Sequence, residues 1–322
     1  MRIVFMGTPD FAVPSLMALL DHHQVVAVVT QPDRPKGRGR KVEASPVKRV
    51  AVERGVRVLQ PERVRDGGFI STMRELAPEA VVVVAFGQKI PPEILELPRF
   101  GCINVHASLL PKYRGAAPIQ WAMMNGERET GVTTMLMDEG WDTGDILLQK
   151  RVIIQDDMDA GKLHDILAVE GARLLLDTLS GLEAGTIAGI PQDESQATWA
   201  PRLDPEMARI QWDRPARDIR NLIRAMSPRP GAYTCLGDTR IKVFGAEVIS
   251  DMRDIPGVAG IRSAGEPGRP ISPGEVLVMD DRAGIVVATG GGFLALTEVQ
   301  AEGSRRMSAQ EFVRGYWKNK QK

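Results

Sequence analysis

The sequence predicts an α/β fold, a Rossmann-like, doubly wound and mostly parallel sheet, followed by a small C-terminal β-barrel domain of the OB-like type. Apolar runs alternate with helical patterns through the first 190 residues, which indicates strands joined by helical crossovers. The run 80–85 is apolar throughout, as is typical of a parallel strand buried on both faces. After about residue 230, five short β runs follow one another, separated by turns rich in glycine and aspartate. This spacing favours a small antiparallel barrel.

The first elements are those of a doubly wound domain. A strand at 2–6 ends at Gly7, and a helix then runs to about Leu20. The turn between them holds one glycine where a dinucleotide site needs Gly-x-Gly-x-x-Gly, so a nicotinamide cofactor is not expected. Further on, Ser45 is a candidate N-cap for a helix that begins at Pro46.

Length and composition predict two domains. The chain has 322 residues, of which 43% are hydrophobic and 25% charged, enough for a large core. Residues 191–205 are polar and contain three prolines, which is the composition of a linker. The predicted division is therefore a catalytic domain at 1–190, a linker at 191–205 and a barrel domain at 206–322.

The sequence also indicates a cytoplasmic protein. It opens on a strand and turn instead of a secretory leader, and no run reaches the apolar length of a membrane span. Cys102 and Cys235 each lie in an apolar strand-like run, so both are expected as buried, unbonded thiols in a reducing compartment. Net charge is zero, so a polyanionic partner would have to be held by a local basic cluster.

One such cluster, here called the basic loop, spans residues 34–41. Three of its other residues, Pro35, Gly37 and Gly39, are expected to prevent regular structure. Charge alone leaves open whether it is a solvated surface loop or a contact for a polyanion. Its basic residues are Arg34, Lys36, Arg38, Arg40 and Lys41.

The second domain is predicted to open with a helix at 215–226, capped by Asp213. Its β runs lie at 232–236, 240–244, 275–279, 285–289 and 293–300. Residues 256–274 are expected to form a long loop, and Ser308 with Glu311 forms a capping box for the last helix.

The chemistry is concentrated in residues 102–145. Asn104 and His106 are expected on one face at the end of a strand, since strand side chains alternate. The amide can donate to a developing oxyanion, the imidazole can move a proton, and Asp142, 36 positions after His106, can orient the imidazole. Metal ligand spacing and a nucleophile motif are both missing from this stretch, which favours direct transfer of an acyl-like group to a substrate nucleophile through a tetrahedral intermediate. A purely structural Asn and His pair stays open.

Two segments carry a resemblance to a known family. Residues 104–119 read Asn-Val-His-Ala-Ser-Leu-Leu-Pro-Lys-Tyr-Arg-Gly-Ala-Ala-Pro-Ile, and residues 138–146 read Asp-Glu-Gly-Trp-Asp-Thr-Gly-Asp-Ile. Together they resemble the signature of the 10-formyltetrahydrofolate-dependent formyltransferases. Residues 4–14, the basic loop and the barrel-like second domain resemble the branch of that family that acts on Met-tRNA.

The resemblance implies formyl transfer from 10-formyltetrahydrofolate, a co-substrate, to the α-amino group of initiator Met-tRNA, without a metal. It implies Asn104, His106 and Asp142 as catalytic groups. It implies that the basic loop inserts at the tRNA acceptor end and that the second domain follows the acceptor arm. It also implies folate contacts at Phe86, Gly87, Ser108, Leu109, Leu110 and Pro111.

The chain departs from the family pattern at two positions. Trp141 stands where a smaller apolar residue is expected, and Phe86 stands where a tyrosine is common. The expected protein is a monomer without a membrane partner. Two other readings stay open, a formyltransferase acting on a sugar nucleotide and a non-catalytic RNA-binding protein on the same fold.

Overall fold

The computed structural model describes residues 1–36, 41–251 and 271–317, which form two compact units. The first unit comprises Met1–Pro118, Glu129–Ile154 and Leu163–Pro201. The second comprises Ile119–Arg128, Gln155–Lys162 and Arg202–Lys322. The division at 191–205 stays a prediction, and most of the long loop predicted at 256–274 lies outside the described residues.

The described residues of the first unit contain nine strands. They are β1 (Arg2–Gly7), β2 (Gln24–Val29), β3 (Arg34–Lys36), β4 (Lys41–Glu43), β5 (Val58–Leu59), β6 (Ala80–Val84), β7 (Cys102–His106), β8 (Glu129–Leu136) and β9 (Ile146–Ile153). Seven of them form one sheet in the order β5-β2-β1-β6-β7-β8-β9. The pairs from β5 to β7 are parallel, whereas β8 and β9 are antiparallel to their neighbours. The mostly parallel, Rossmann-like sheet is thus confirmed.

Burial explains the composition of the central strands. Every residue of β6 is buried, and so are Ile3 to Met6 in β1, because helices cover both faces of the parallel part. The helices of the chain up to residue 184 are α1 (Val13–His22), α2 (Pro46–Glu53), α3 (Gly67–Leu76), α4 (Pro92–Leu95), α5 (Pro118–Met124) and α6 (Ala160–Ala184). Helix α2 begins as predicted, since Ser45 Oγ accepts a hydrogen bond from the Lys48 N–H at 3.0 Å.

The second unit is an antiparallel sheet with a helix packed on it. Helix α7 (Ala216–Met226) buries Ile219, Ile223 and Met226 among apolar side chains of the strands. The strands are β10 (Ala232–Leu236), β11 (Thr239–Ile249), β12 (Val276–Asp280), β13 (Gly284–Ala288), β14 (Phe293–Ala301) and β15 (Met307–Ser308). Their order is β10-β11-β14-β13-β12, and β15 also pairs with β14.

Two predictions about helix ends have different outcomes. Asp213 does not cap α7, because the helix begins one residue after Pro215 and no side chain caps it. Proline there supplies the extended backbone that precedes a helix, so the start needs no carboxylate. The capping box of Ser308 and Glu311 is confirmed, and α8 (Ala309–Glu311) continues into a π-helical turn at Phe312–Trp317.

The two cysteines differ. Cys102 is buried and burial raises the pKa of its thiol to about 12, which agrees with the prediction. The prediction for Cys235 was wrong, since this thiol is exposed. In β10, Ala232, Thr234 and Leu236 face the core, so strand alternation places Cys235 on the outer face.

The basic loop begins and ends in regular structure, contrary to the sequence prediction. Strands β3 and β4 pair antiparallel, with Pro35 opposite Val42. Proline is tolerated because a two-stranded ribbon leaves one edge of each strand without a ladder partner. Residues 37–40, with Arg38 and Arg40, lie outside the described part of the chain.

Every helix in the described part of the chain is too short or too polar to span a lipid bilayer.

Candidate active site

Asp142 is the point at which the predicted catalytic groups meet. Asn104 and His106 lie two residues apart on β7, and both side chains reach this carboxylate. Asn104 Nδ2 donates to Asp142 Oδ1 at 3.3 Å, and His106 Nδ1 lies 3.6 Å from Asp142 Oδ2. The side chains of His106 and Asp142 are only 7% and 13% exposed, so the charges are shielded from water. The structure therefore brings together the three groups that the sequence singled out.

The histidine ring is held on both sides. His106 Nε2 lies 2.9 Å from the carbonyl oxygen of Tyr113. A carbonyl oxygen can only accept, so Nε2 carries a hydrogen and donates it. Nδ1 is then the nitrogen that gains or loses a proton, and it is the one that faces Asp142.

Asp142 also accepts a hydrogen bond from the backbone. The Gly115 N–H donates to Asp142 Oδ2 at 2.8 Å. The Asp142 backbone has a φ of 56°, in the left-handed region that aspartate adopts more easily than most residues. The preceding turn is closed by Asp138, whose Oδ1 accepts from the Gly140 N–H and from Thr143 Oγ1. The carboxylate is thus presented by a tight turn with an uncommon backbone conformation.

The loop that provides Gly115 is held by a distant segment. The Arg114 backbone bonds to two residues of the segment 198–200. Its N–H donates to Thr198 O at 2.9 Å, and its carbonyl oxygen accepts from the Ala200 N–H at 2.7 Å. Thr198 Oγ1 also accepts from the Tyr113 N–H at 2.8 Å. Gly115 has a φ of 119°, and a Cβ there would lie 2.8 Å from the Ala200 carbonyl oxygen. Only glycine fits this position.

A second set of contacts holds the backbone on the other side of Asp142. Gln192 Nε2 donates to Asp142 O at 2.9 Å and to Gly144 O at 2.7 Å. Arg114, which is 2% exposed, donates to Gln192 Oε1 from Nε at 3.0 Å and from Nη2 at 2.8 Å. The same guanidinium forms a two-point ion pair with Glu194, at 2.7 and 2.8 Å, and thereby lowers the pKa of that carboxyl.

The residues that the resemblance assigns to folate lie beyond the carboxyl ends of two neighbouring strands. Phe86 follows β6 and is buried, and its carbonyl oxygen accepts from Thr8 Oγ1 and Gln31 Nε2, each at 3.2 Å. Gly87 has a φ of 88°. Since β6 pairs with β7 in register at Asn104, this segment leaves the sheet at the same edge as the catalytic strand.

The other folate segment follows β7 directly. Thr133 Oγ1 donates to Ser108 O at 2.7 Å and accepts from the Leu110 N–H at 3.1 Å. Gln149 Nε2 donates to Leu110 O at 2.8 Å. Ser108 Oγ is itself bonded to Lys112 O at 2.6 Å. The polar groups of Ser108–Pro111 thus stabilise the conformation of the segment. Leu109 is half-buried. Folate contact by these residues stays a prediction.

The basic loop is anchored at its first strand. Asp33 pairs with Lys48, and Gln60 Nε2 donates to Asp33 Oδ1 at 2.8 Å. The hydrogen bonds from Lys48 and Gln60 lower the pKa of Asp33, so it stays ionised near neutrality. Arg34 is exposed beside this anchor. The tRNA contacts of the loop stay a prediction.

Sequence reasoning missed the groups that hold Asp142. Arg114 and Gly115 lie inside the family signature, but their part in the site could not be read from it. Gln192 lies 50 residues from its acceptor, in a segment interpreted as a linker. In residues 1–36, 41–251 and 271–317, no three His, Cys, Asp or Glu side chains are grouped so that they could hold a metal ion.

Comparisons with known proteins identify the family of the chain. A family model described as formyl transferase matches residues 1–179, and one described as formyl transferase, C-terminal domain, matches residues 202–317. A methionyl-tRNA formyltransferase of Pelotomaculum thermopropionicum is 51% identical over 316 residues, covering 98% of this chain and 96% of the relative. Another from Desulforamulus reducens is 51% identical over 316 residues, covering 98% of this chain and 95% of the relative.

A solved structure shares the fold. An N-formyltransferase of Helicobacter canadensis, crystallised with folinic acid and dTDP-3-aminofucose, superposes with a TM-score of 0.65 at 20% identity. The match covers 93% of this chain and 98% of that structure. With both family models matched and full-length relatives at half identity, the chain belongs to the formyl transferase family.

Proposed function

We propose that the chain transfers the formyl group of 10-formyltetrahydrofolate to the α-amino group of methionine on initiator Met-tRNA. The amine nitrogen forms a bond to the formyl carbon, the bond from that carbon to the folate nitrogen breaks, and the folate nitrogen takes up a proton. The products are formylmethionyl-tRNA for translation initiation and tetrahydrofolate. Relatives that share half of the sequence over its whole length bear the name of this activity. The observation that carries the chemistry is the meeting of Asn104 and His106 at Asp142.

Asn104 stabilises the negative charge that develops on the formyl oxygen. One N–H of its amide donates to Asp142 Oδ1, which orients the side chain. The second N–H can donate to the oxygen as charge builds there. A donor placed in this way lowers the barrier without reorganisation at the moment of reaction.

His106 takes the proton that the attacking amine must lose. Its Nε2–H is committed to the Tyr113 carbonyl, so the proton is received at Nδ1. The resulting imidazolium faces Asp142, whose negative charge stabilises it at 3.6 Å. Asp142 thus orients the amide and stabilises the charged imidazole with the same carboxylate.

The substrates approach this edge of the sheet from different segments. Folate is held by the segments at 86–87 and 108–111, which leave adjacent strands beside Asn104. The acceptor end of the tRNA is contacted by the basic loop, with phosphate contacts from its arginine and lysine side chains. The protein acts as a monomer in the bacterial cytosol.

Single-turnover formylation of charged initiator tRNA tests the chemistry. Asn104→Ala should slow the reaction by roughly 10²- to 10³-fold, the usual effect of removing an oxyanion donor. His106→Ala should slow it by roughly 10²- to 10⁴-fold through loss of proton transfer. His22→Ala is the matched control, because His22 is exposed at the end of α1 and, among the described residues, its ring hydrogen-bonds to Ala18 O alone.

Full activity of either active-site variant would remove that residue from the mechanism. Substrate choice is tested separately with an amino sugar nucleotide in place of Met-tRNA. Faster formylation of the sugar amine than of Met-tRNA would replace the proposed acceptor while leaving the formyl chemistry in place.

A further inference from the structure

We infer that Gln192 is a positioning residue for the reaction, which sets the backbone of the turn that presents Asp142. This inference rests on the proposed role of Asp142. Gln192 itself does not contact the carboxylate. Its amide binds the main chain on either side of Thr143, at Asp142 O and at Gly144 O.

The turn requires such support. Asp142 has a φ of 56°, a conformation that is unfavourable for a non-glycine residue and persists only where the surroundings enforce it. Two hydrogen bonds from one side-chain amide, at 2.9 and 2.7 Å, hold the carbonyl oxygens of this turn in a defined direction. If these bonds are lost, the turn can relax and move the carboxylate away from His106.

Gln192 is in turn oriented by a buried arginine. Arg114 donates two hydrogen bonds to Gln192 Oε1, which settles the orientation of the amide and directs its NH₂ group towards the turn. Glu194, whose side chain is 71% exposed, neutralises the Arg114 guanidinium from its solvent side. The chain of contacts is therefore Glu194 to Arg114, Arg114 to Gln192, and Gln192 to the backbone of Asp142.

The same arginine belongs to the loop on the other side of the carboxylate. Its neighbour Gly115 donates from the backbone to Asp142 Oδ2. Arg114 thus links the two parts that contact Asp142, the turn through Gln192 and the loop through its own main chain. This arrangement predicts that Gln192 affects catalysis only through Asp142.

A double-mutant cycle tests this prediction by single-turnover formylation. Gln192→Ala should reduce the rate by about 10-fold or more in the wild-type chain, yet by less than about twofold in an Asp142→Ala background. Gln192→Glu keeps an acceptor for Arg114 but cannot donate to the turn, so it should lose activity like the alanine variant. Gln196→Ala is the control, since Gln196 lies in the same segment and bonds only to Asp193.

The possible results are distinct. If the melting temperature of Gln192→Glu lies within a few degrees of that of the wild type and the variant still binds folate, the loss of rate does not come from unfolding. Equal losses in the two backgrounds, or a wild-type rate for Gln192→Glu, would overturn the inference alone. A wild-type rate for Asp142→Ala would overturn the proposed role of Asp142 and the inference with it.

Discussion

Gly115 offers the sharpest test of how the site is built. Its φ of 119° lies outside the range of other residues, and a Cβ would lie 2.8 Å from the carbonyl oxygen of Ala200. Backbone strain of about 1–3 kcal/mol and overpacking of about 1–3 kcal/mol predict a total destabilisation of roughly 2–6 kcal/mol for Gly115→Ala.

A matched control separates strain from the clash. Gly55 also has a positive φ, of 68°, but a Cβ there would meet nothing within 4 Å. Gly55→Ala should therefore cost only the left-handed backbone term, about 1–2 kcal/mol. Where the two backbone terms are equal they cancel, and the difference measured by urea unfolding of both variants should be the overpacking term of about 1–3 kcal/mol.

Gly115→Ala should also slow the formylation reaction. To relieve the clash the loop must move, which lengthens the hydrogen bond from the Gly115 N–H to Asp142. Hydrogen bonds to charged groups contribute about 1.5–3 kcal/mol, so single-turnover formylation should slow by roughly 10- to 100-fold in Gly115→Ala. Gly55→Ala should keep the wild-type rate. If both variants unfold at the same urea concentration and react equally fast, Gly115 has no special place in the site.

Three further predictions concern charge and exposure. Arg34→Glu in the basic loop should weaken Met-tRNA binding and reduce the slope of its salt dependence by about 1, with folate affinity unchanged; equal losses for both ligands would contradict this division. Because Arg114 lowers the pKa of Glu194 below its ordinary value of 4.5, the ion pair stabilises the fold above that pH and the gain disappears as pH falls through the lowered pKa. The difference in melting temperature between wild type and Glu194→Gln should therefore be larger at pH 7 than at pH 3, and a constant difference would refute the ion pair. Iodoacetamide at pH 8 should label Cys235 but not buried Cys102 in the native protein, and mass spectrometry of the peptides would reveal any reversal.

The fold and the meeting of the candidate catalytic groups could be predicted from sequence because their signals are local. The apolar run of β6 marks a buried strand wherever it lies, and two-residue alternation places Asn104 and His106 on one face. Asp142 was singled out as a carboxylate in the same polar stretch, and the resemblance implied the same role for it. These inferences need a hydrophobic periodicity or a family sequence motif, and the sequence contains both.

The supports of the site carry no such signal. Gln192 lies in a polar segment rich in proline and acidic residues. That composition does not distinguish a segment packed against the site from a linker. Its importance depends on a contact 50 residues away along the chain. Cys235 was misjudged for a related reason, since an apolar run predicts a strand but the face that meets the core is set by its partners.

The hydrogen bonds between residues 198–200 and the loop at Arg114 have a consequence for synthesis of the protein. All three candidate catalytic side chains have left the ribosome once residue 142 has emerged, but the segment that secures their loop follows more than fifty residues later. A nascent chain stopped after α6 would contain these side chains but lack residues 198–200, which hold the loop at Arg114 in place. We therefore expect catalytic competence to arise late in translation, as a step separate from formation of the sheet.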